Sequence, residues 1–198
     1  MNATARLLLA AMAANLVGAV SANSVKAGSE SDAPPPLTSA TSQFIELRPL
    51  AMAPPVKIER IDGEHIDLRS LRGKVVLLSF WATWCPPCRR EMPMLESLWR
   101  FEGAYIEVVA VSVDRQGKSA VAPFLERLGV THLLSFLDPM GRIAAPPSEA
   151  RETPFILRGI PISYVIDPRG RVAGYITGEV DWTSQGGLAL LRHYFNAR

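Results

Sequence analysis

The pattern of apolar and polar positions divides the chain into alternating strands and helices. Continuous apolar runs at 75–81, 106–113 and 133–137 predict buried strands. Apolar residues recur at helical spacing after Pro87 and again over residues 117–128, which predicts an amphipathic helix after each of the first two strands. Strands that alternate with helices in this way are typical of a parallel βαβ core. The sequence therefore predicts an α/β fold, with a central mixed sheet flanked by helices.

Shorter periodic stretches lie on both sides of this core. They predict, in chain order, strands at 44–47, 56–61 and 64–68, strands at 162–166 and 171–176, and a closing helix at 183–195. Asp62-Gly63 is a turn signal, so the second and third strands form an N-terminal β-hairpin extension. Asp167-Pro168-Arg169-Gly170 predicts that the last two strands are an antiparallel pair. Residues 138–158 contain four prolines and predict a loop or a short helical excursion.

The N-terminal part of the chain differs in composition from the rest. Arg6 precedes an apolar, alanine-rich run, and small residues follow at 20–22, so residues 1–22 predict a secretory signal peptide or an N-terminal membrane anchor. Residues 23–43 are rich in Ser, Ala, Gly and Pro and predict a flexible tether. The predicted folded domain is 44–198. Export would place it in the periplasm, either soluble or tethered to the inner membrane.

Composition limits the partners and cofactors. The chain has 198 residues, 48% of them hydrophobic, which is enough for one packed domain with appendages. A net charge of +2 gives no electrostatic reason to expect a nucleic acid partner. The three histidines have no ligand-like spacing, and no flavin or nicotinamide motif is present. We expect a monomer without metal or cofactor, to which another protein supplies electrons.

The only two cysteines, Cys85 and Cys88, lie where the strand at 75–81 runs into the next helix. Free backbone N–H groups and the positive end of the helix dipole favour a thiolate at this place. Two intervening residues allow the sulfurs to form a disulfide and to separate on reduction. We assign Cys85, where we expect the more exposed and more acidic thiol, as the nucleophile. Cys88 is then the thiol that resolves the mixed disulfide.

The residues between the cysteines indicate the direction of the chemistry. Pro86 and Pro87 have no N–H group and so remove donors that could stabilise the thiolate, which favours a reductant over a strong oxidant. A structural zinc site lacks ligands, and haem attachment needs a histidine where the chain has Arg89. An inert disulfide and a Cys-His hydrolase using His132 or His193 explain less of the pattern. A disulfide oxidase or isomerase and a non-catalytic binding module stay open as alternatives.

Residues 80–93, which contain the Cys-Pro-Pro-Cys motif, and residues 159–167 together resemble the thioredoxin superfamily. Within it they are most similar to the exported, often membrane-tethered TlpA/ResA/CcmG group. The resemblance covers about residues 44–198. It implies a thioredoxin fold and a thiol-disulfide oxidoreductase that reduces apocytochrome c or copper-site assembly proteins. It also implies recharging by a DsbD- or CcdA-like membrane protein.

The resemblance implies a special role for Pro161. In this family the matching proline is cis and faces the cysteines, which turns the backbone of Ile160 outward, where an extended substrate can pair with it. The alternative is an ordinary trans proline at the start of an edge strand. The family has Thr or Ser next, whereas this chain has Ile162. Residues 179–182 also resemble the group, without an assigned role.

Glu91 is the candidate proton carrier. It lies three residues after Cys88 and therefore on nearly the same helix face. A partly buried carboxylate there would raise the pKa values of the thiols and accept the proton that Cys88 must lose, as the similarity to ResA also implies. The alternative is a solvated helix glutamate. Trp84, Pro86 and Pro87 beside the cysteines are predicted substrate contacts.

Overall fold

The computed structural model describes residues 33–197, in which three α-helices lie against an eight-stranded sheet. The strands are β1 Ile45–Met52, β2 Lys57–Arg60, β3 His65–Asp67, β4 Val75–Trp81, β5 Ile106–Ser112, β6 Ser135–Leu137, β7 Ala144–Ala145, β8 Phe155–Ile156, β9 Ile162–Ile166 and β10 Arg171–Thr177. The helices are α1 Pro86–Glu102, α2 Lys118–Leu128 and α3 Gln185–Asn196, with a 3₁₀-helix at Leu68–Leu71.

The main sheet is mixed, with the strand order β1-β10-β9-β4-β5-β6-β2-β3. β4, β5 and β6 are parallel, as the alternation of strands and helices predicted. β9 pairs antiparallel with β4, and β10 antiparallel with β9. The β2–β3 hairpin joins one edge through β6, and β1 joins the other edge through β10. The predicted α/β fold with a mixed sheet is therefore confirmed.

The two faces of the sheet are covered by different layers. On one face, β4 residues such as Leu77 and Trp81 share a buried cluster with side chains from all three α-helices. On the other face, Leu78 and Phe80 pack against the β2–β3 hairpin region and residues 138–157. Every residue of β4 is buried because both faces are covered. The helices therefore cover one face, and an irregular segment covers the other.

Residues 138–158 differ from the predicted loop or helical excursion. They contain β7 and β8, which form a separate two-stranded parallel sheet. The buried carboxylate of Asp138 fixes the entry to this segment. It accepts hydrogen bonds from the backbone N–H groups of Arg142, Ile143 and Ala144 at 2.7, 3.0 and 3.0 Å. A carboxylate that binds three successive N–H groups holds the chain in a turn and leaves no helical ladder. We call residues 138–157 the excursion.

The N-terminal boundary of the fold lies earlier than predicted. Residues 23–43 were expected to form a flexible tether, but Leu37 is buried in the helix-side cluster. The Ser39 hydroxyl also donates to the Thr177 carbonyl at 2.6 Å, at the end of β10. The last part of the predicted tether therefore belongs to the domain. Composition did not reveal this because one apolar side chain is enough to anchor a polar segment.

The remaining N-terminal predictions lie outside the described residues. These are the signal peptide or anchor at 1–22 and the first part of the tether. Within residues 33–197, no helix combines the length and the hydropathy that a membrane span requires.

Candidate active site

The two cysteines lie at the junction between β4 and α1. Cys85 is the N-cap residue of α1, with extended backbone angles, and Cys88 lies in the first turn. The Cys88 N–H donates to the Cys85 sulfur at 3.3 Å, and the two sulfurs form a disulfide. Pro86 and Pro87 occupy the first helical positions, where a missing N–H costs no helical hydrogen bond. The predicted position of the pair at the helix start is confirmed.

The disulfide is more buried than expected. Cys85 is 3% exposed and Cys88 is fully buried, so the order of exposure agrees with the prediction but Cys85 is not open to solvent in this oxidised state. Trp84 is 65% exposed beside it, and Pro86 is also exposed. Trp81, three residues earlier, is buried in the core as part of β4. A partner must therefore approach Cys85 along the surface that Trp84 and Pro86 form.

Glu91 is buried beneath the surface at the same end of α1. Its side chain is 1% exposed, and its Oε1 accepts a hydrogen bond from the Trp182 indole N–H at 2.8 Å. Burial raises the pKa of Glu91 to about 8, and the nearby charge of Glu179 raises it as well. Hydrogen bonds from Trp182 and the Val180 backbone act in the opposite direction. A solvated helix glutamate is therefore the wrong interpretation, and Glu91 titrates close to neutral pH.

The segment that holds Glu91 is the 179–182 loop, between β10 and α3. The Arg90 Nε and Nη2 donate to Glu179 Oε2 at 2.8 and 2.5 Å, while Trp182 donates to Glu91. Two consecutive residues of α1 are therefore bound by one loop. The resemblance to the TlpA/ResA/CcmG group included this loop but assigned it no role. Trp182 and Glu91 are 91 positions apart, and no local pattern could have paired them.

Pro161 lies next to the disulfide-bearing junction. The Ile160–Pro161 peptide bond is cis, as the resemblance implied. Ile162 begins β9 directly afterwards and pairs with Phe80, near the end of β4. The strand pairing therefore places Ile160 and Pro161 near the end of β4. Residues 82–85, which we call the cysteine loop, lead from there to α1. Ile160 forms no backbone hydrogen bond with another residue of 33–197.

Asp114 is a buried carboxylate that the sequence analysis missed. It is 1% exposed and accepts hydrogen bonds from the Thr83 N–H and hydroxyl at 2.9 and 2.7 Å, and from the Ser112 hydroxyl at 2.7 Å. Thr83 lies two residues before Cys85, and Ser112 ends β5. Asp114 therefore ties the cysteine loop to the neighbouring strand. An Asp shortly after an apolar strand was the available signal.

Comparison with known proteins adds an identification. The sequence profile of the AhpC/TSA family matches residues 49–175. The chain belongs to the AhpC/TSA family. It is 32% identical over 127 residues to the thiol-disulfide oxidoreductase ResA of Bacillus subtilis, a match that covers 64% of this chain and 65% of ResA. ResA of Geobacillus kaustophilus is 32% identical over 142 residues, which cover 70% of this chain and 76% of that protein.

A solved structure agrees with the family assignment. The protein assigned as thiol:disulfide interchange protein DsbE from Chlorobium tepidum superposes with a TM-score of 0.61 and 24% identity, covering 74% of this chain and 96% of that one. This match shows the fold alone, which is thioredoxin-like. The predicted thioredoxin fold and the resemblance to the TlpA/ResA/CcmG group are therefore confirmed. The match to ResA of Bacillus subtilis spans just under two thirds of its length.

In this family member, Trp84 separates two surface depressions. The first, of about 700 Å³, lies between Trp84, Ile160 and the excursion, and we call it the excursion groove. It contains one exposed residue of each charge, Arg115 and Glu149. The second, of about 500 Å³, lies between α1 and α2, and we call it the α1–α2 cleft. It is lined by Thr83, Trp84, Arg89, Ser119, Ala120, Pro123, Phe124, Arg127 and Leu128. The predicted contact residues Trp84 and Ile160 thus share one groove.

The histidines lie away from the disulfide. The Nδ1 atom of His132 is 3.1 Å from Glu96 Oε1, His65 begins β3, and His193 lies near the end of α3. Within residues 33–197, no three His, Cys, Asp or Glu side chains are grouped to hold a metal ion.

Proposed function

We propose that this protein is an exported thiol-disulfide oxidoreductase that reduces disulfide bonds in protein substrates. The observation that carries this proposal is the Cys85–Cys88 pair at the start of α1, with the buried Glu91 one turn further along. An acid whose pKa is about 8 can take up and release a proton at neutral pH. The similarity to ResA, which is named a thiol-disulfide oxidoreductase, supports the same activity.

The reaction starts from the reduced pair. The Cys85 thiolate attacks one sulfur of a substrate disulfide, forming a Cys85–substrate bond while the substrate's other sulfur leaves as a thiolate and takes a proton. Cys88 then loses its proton and attacks the Cys85 sulfur, which releases the second substrate thiol. Two electrons have moved to the substrate, and the protein is left with the intramolecular disulfide present in the structure.

Glu91 accepts the proton that Cys88 loses. Its position one helical turn after Cys88 places the carboxylate on the same side of α1. Cys88 and Glu91 are both shielded from solvent, so bulk water does not take the proton directly. Burial favours the neutral forms of the Cys88 thiol and of the Glu91 carboxyl. The Cys88 thiol therefore needs a base within reach in order to ionise. At neutral pH a minority of Glu91 is ionised, and this form provides the base. Because a pKa of about 8 is close to that of a thiol, Glu91 can return the proton afterwards.

The two prolines between the cysteines favour the reducing direction. The Cys88 N–H donates to the Cys85 sulfur, and Pro86 and Pro87 have no N–H to add. A thiolate with few donors is stabilised less, and a less stable reduced form makes a pair a better reductant. We therefore place its reduction potential near that of thioredoxin, at about −270 mV.

The substrate reaches Cys85 beside Trp84, Pro86 and Ile160. An extended segment can pair with the backbone N–H and C=O of Ile160, which have no hydrogen-bond partner elsewhere in residues 33–197. Pro161 positions this segment against the disulfide, and Trp84, Pro86 and Pro87 provide the surrounding surface. An added strand supplies main-chain hydrogen bonds whatever its sequence, so this contact suits protein substrates of several kinds.

The biological setting follows from the resemblance to the TlpA/ResA/CcmG group. We propose that the domain acts in the periplasm, soluble or tethered to the inner membrane through residues 1–22. Its substrates are apocytochrome c or copper-site assembly proteins, as expected for cytochrome c maturation or cytochrome oxidase assembly. A DsbD- or CcdA-like membrane protein returns it to the reduced form. This reduction is required because the periplasm is oxidising.

The test traps substrates in cells. Cys88→Ser stops the reaction at the mixed disulfide, so it should accumulate covalent partners that mass spectrometry identifies, whereas Cys85→Ser should trap none. The reduction potential of the purified protein is measured by equilibration with glutathione. A value near −120 mV, roughly that of DsbA, would favour an oxidase. No trapped partner, together with no reduction of any protein disulfide, would leave only a binding module.

A further inference from the structure

The two arginines beside Trp84 differ from the six arginines of residues 33–197 that form ion pairs. Six arginines each form an ion pair with a carboxylate: Arg48, Arg60, Arg69, Arg90, Arg171 and Arg192. Arg89 and Arg127, which line the α1–α2 cleft, are exposed and form no ion pair within residues 33–197. Two positively charged side chains without an ion pair in residues 33–197 therefore line the cleft beside Trp84.

The α1–α2 cleft is arranged around these charges. α2 presents Ser119, Pro123 and Arg127 on one face, at the four-residue spacing of neighbouring turns. The Arg89 guanidinium lies 5.6 Å from the centre of the Phe124 ring, and this contact orients it. None of the residues that line the cleft is acidic. The cleft is a positively charged depression with an apolar floor.

Nearby carboxylates do not neutralise the cleft. Asp114 lies behind Thr83, but it is buried, and its oxygens already accept three hydrogen bonds. Glu126 precedes Arg127 in α2, yet adjacent helix residues point in different directions. The excursion groove on the other side of Trp84 carries Arg115 and Glu149 together, and so favours neither sign of charge.

We propose that the α1–α2 cleft binds an acidic side chain of the partner protein, from the segment that flanks its reactive cysteine. This rests on the proposed function, because the partner is the protein that reacts at Cys85. Guanidinium groups bind carboxylates through paired hydrogen bonds, and complementary charge accelerates association. Trp84 lines the cleft and precedes Cys85 in the chain, so one bound segment can contact both.

The test uses two synthetic peptides, each with one internal disulfide and the same apolar residues. One has three glutamates next to its first cysteine, and the other has three lysines at those positions. Stopped-flow mixing with the reduced full-length protein gives the second-order rate constant for each. We expect the acidic peptide to react about tenfold faster at low ionic strength, and the preference to shrink at high ionic strength, where charges are screened.

Two variants locate the source of the preference. Arg127→Glu reverses a cleft charge on α2, away from the disulfide-bearing helix, and should abolish or invert the ratio of the two rate constants. Arg100→Glu makes the same change in net charge near the far end of α1, about 16 Å further along the helix than Arg89. It should keep the wild-type ratio. A variant that changes the reactivity of the Cys85 thiol changes both rate constants by the same factor, so the ratio of the two rate constants stays the same.

Each outcome decides between the two proposals. Equal rate constants for the two peptides, with both reduced, would overturn the acidic-partner inference and leave the reductase in place. A preference that survives in Arg127→Glu would also overturn it, since the cleft would not be its source. Failure to reduce either peptide would count against the proposed function itself.

Discussion

Glu91 and Asp114 are both buried carboxylates close to the disulfide, but their surroundings differ. Asp114 accepts three short hydrogen bonds from Thr83 and Ser112, and these join the cysteine loop to β5. Glu91 is bound by the Trp182 indole and the Val180 backbone, with the charge of Glu179 nearby. Burial alone therefore does not distinguish a carboxylate with a structural role from one that we propose transfers a proton. The donors around it do.

The difference between the two carboxylates has a physical basis. Removing a carboxylate from water destabilises its charged form, and each hydrogen bond that it accepts restores part of the loss. At Glu91 the desolvation is larger than the contribution of the donors, and the pKa rises to about 8. Asp114 instead connects two segments that must stay in register for Cys85 to begin α1. The four predictions below test this division of roles.

The largest predicted effect is a decrease in the free energy of unfolding as pH rises. Folded Glu91 keeps its proton up to about pH 8, whereas the unfolded chain loses it near pH 4.5. Between these values the folded state binds more protons, so the free energy of unfolding of the oxidised protein should fall as pH rises, by on the order of 4 kcal/mol from this group. Above about pH 8 the contribution levels off. Denaturant unfolding of wild type and Glu91→Gln across this range measures it. Equal slopes for both proteins would contradict the assignment.

The second effect is the cost of removing Asp114. Asp114→Ala leaves the donors of Thr83 and Ser112 without their acceptor in a buried place, and should lower the free energy of unfolding by about 3 kcal/mol. Denaturant unfolding at a single pH measures the loss. Glu126→Ala removes an exposed carboxylate from α2 and serves as the control, with an expected change below about 0.5 kcal/mol. A small effect of Asp114→Ala would mean that the loop holds its position without this carboxylate.

The third effect is on the resolving step. Glu91→Gln removes the proton acceptor, and attack by Cys88 on the mixed disulfide should slow by roughly 10- to 100-fold at neutral pH. Single-turnover release of a labelled peptide thiol measures this step. Glu96→Gln is a matched control, because Glu96 is also a buried carboxylate of α1 but is paired with His132. A similar loss of rate in both variants would show a general effect of helix packing.

The smallest effect is that of the indole N–H. Trp182→Phe keeps a ring in the core but removes a donor that favours charged Glu91, so the pKa of Glu91 should rise above 8 by up to about one pH unit. Carboxyl ¹³C NMR of the oxidised protein follows this titration without any substrate. In Trp99→Phe, the lost indole donates to Glu107 instead, at 3.2 Å, and Glu91 should be unaffected. An unchanged titration in Trp182→Phe would remove Trp182 from the account.

Local patterns were enough to predict the core of the site. Cys85 at the start of α1 and the apolar run of β4 are adjacent in the sequence, so strand, turn and helix signals meet there. Glu91 follows from helical spacing together with the similarity to ResA. The parallel order of β4, β5 and β6 follows from their alternation with helices, because crossover connections favour that arrangement.

Contacts between distant segments could not be predicted in this way. Trp182 and Glu91 are in direct contact but 91 positions apart in the sequence, and the 179–182 loop carries no periodic signal. The excursion lacks regular periodicity because its prolines interrupt both helix and strand patterns, yet it covers one face of the sheet. Its β7–β8 pair depends on the buried Asp138, whose role emerges only from the folded chain.

The early start of the domain has a practical consequence for recombinant work. Leu37 and Ser39 pack beside the stretch that leads from β10 towards Trp182, and a side chain at Gly178 would clash with Ser39. A gene fragment that starts at residue 44, where composition places the boundary, would lack these contacts. The 179–182 loop, which binds Arg90 and Glu91 of α1, would then lose part of its packing. Expression from residue 33 or earlier keeps these contacts, and with them the packing of the loop that binds Glu91.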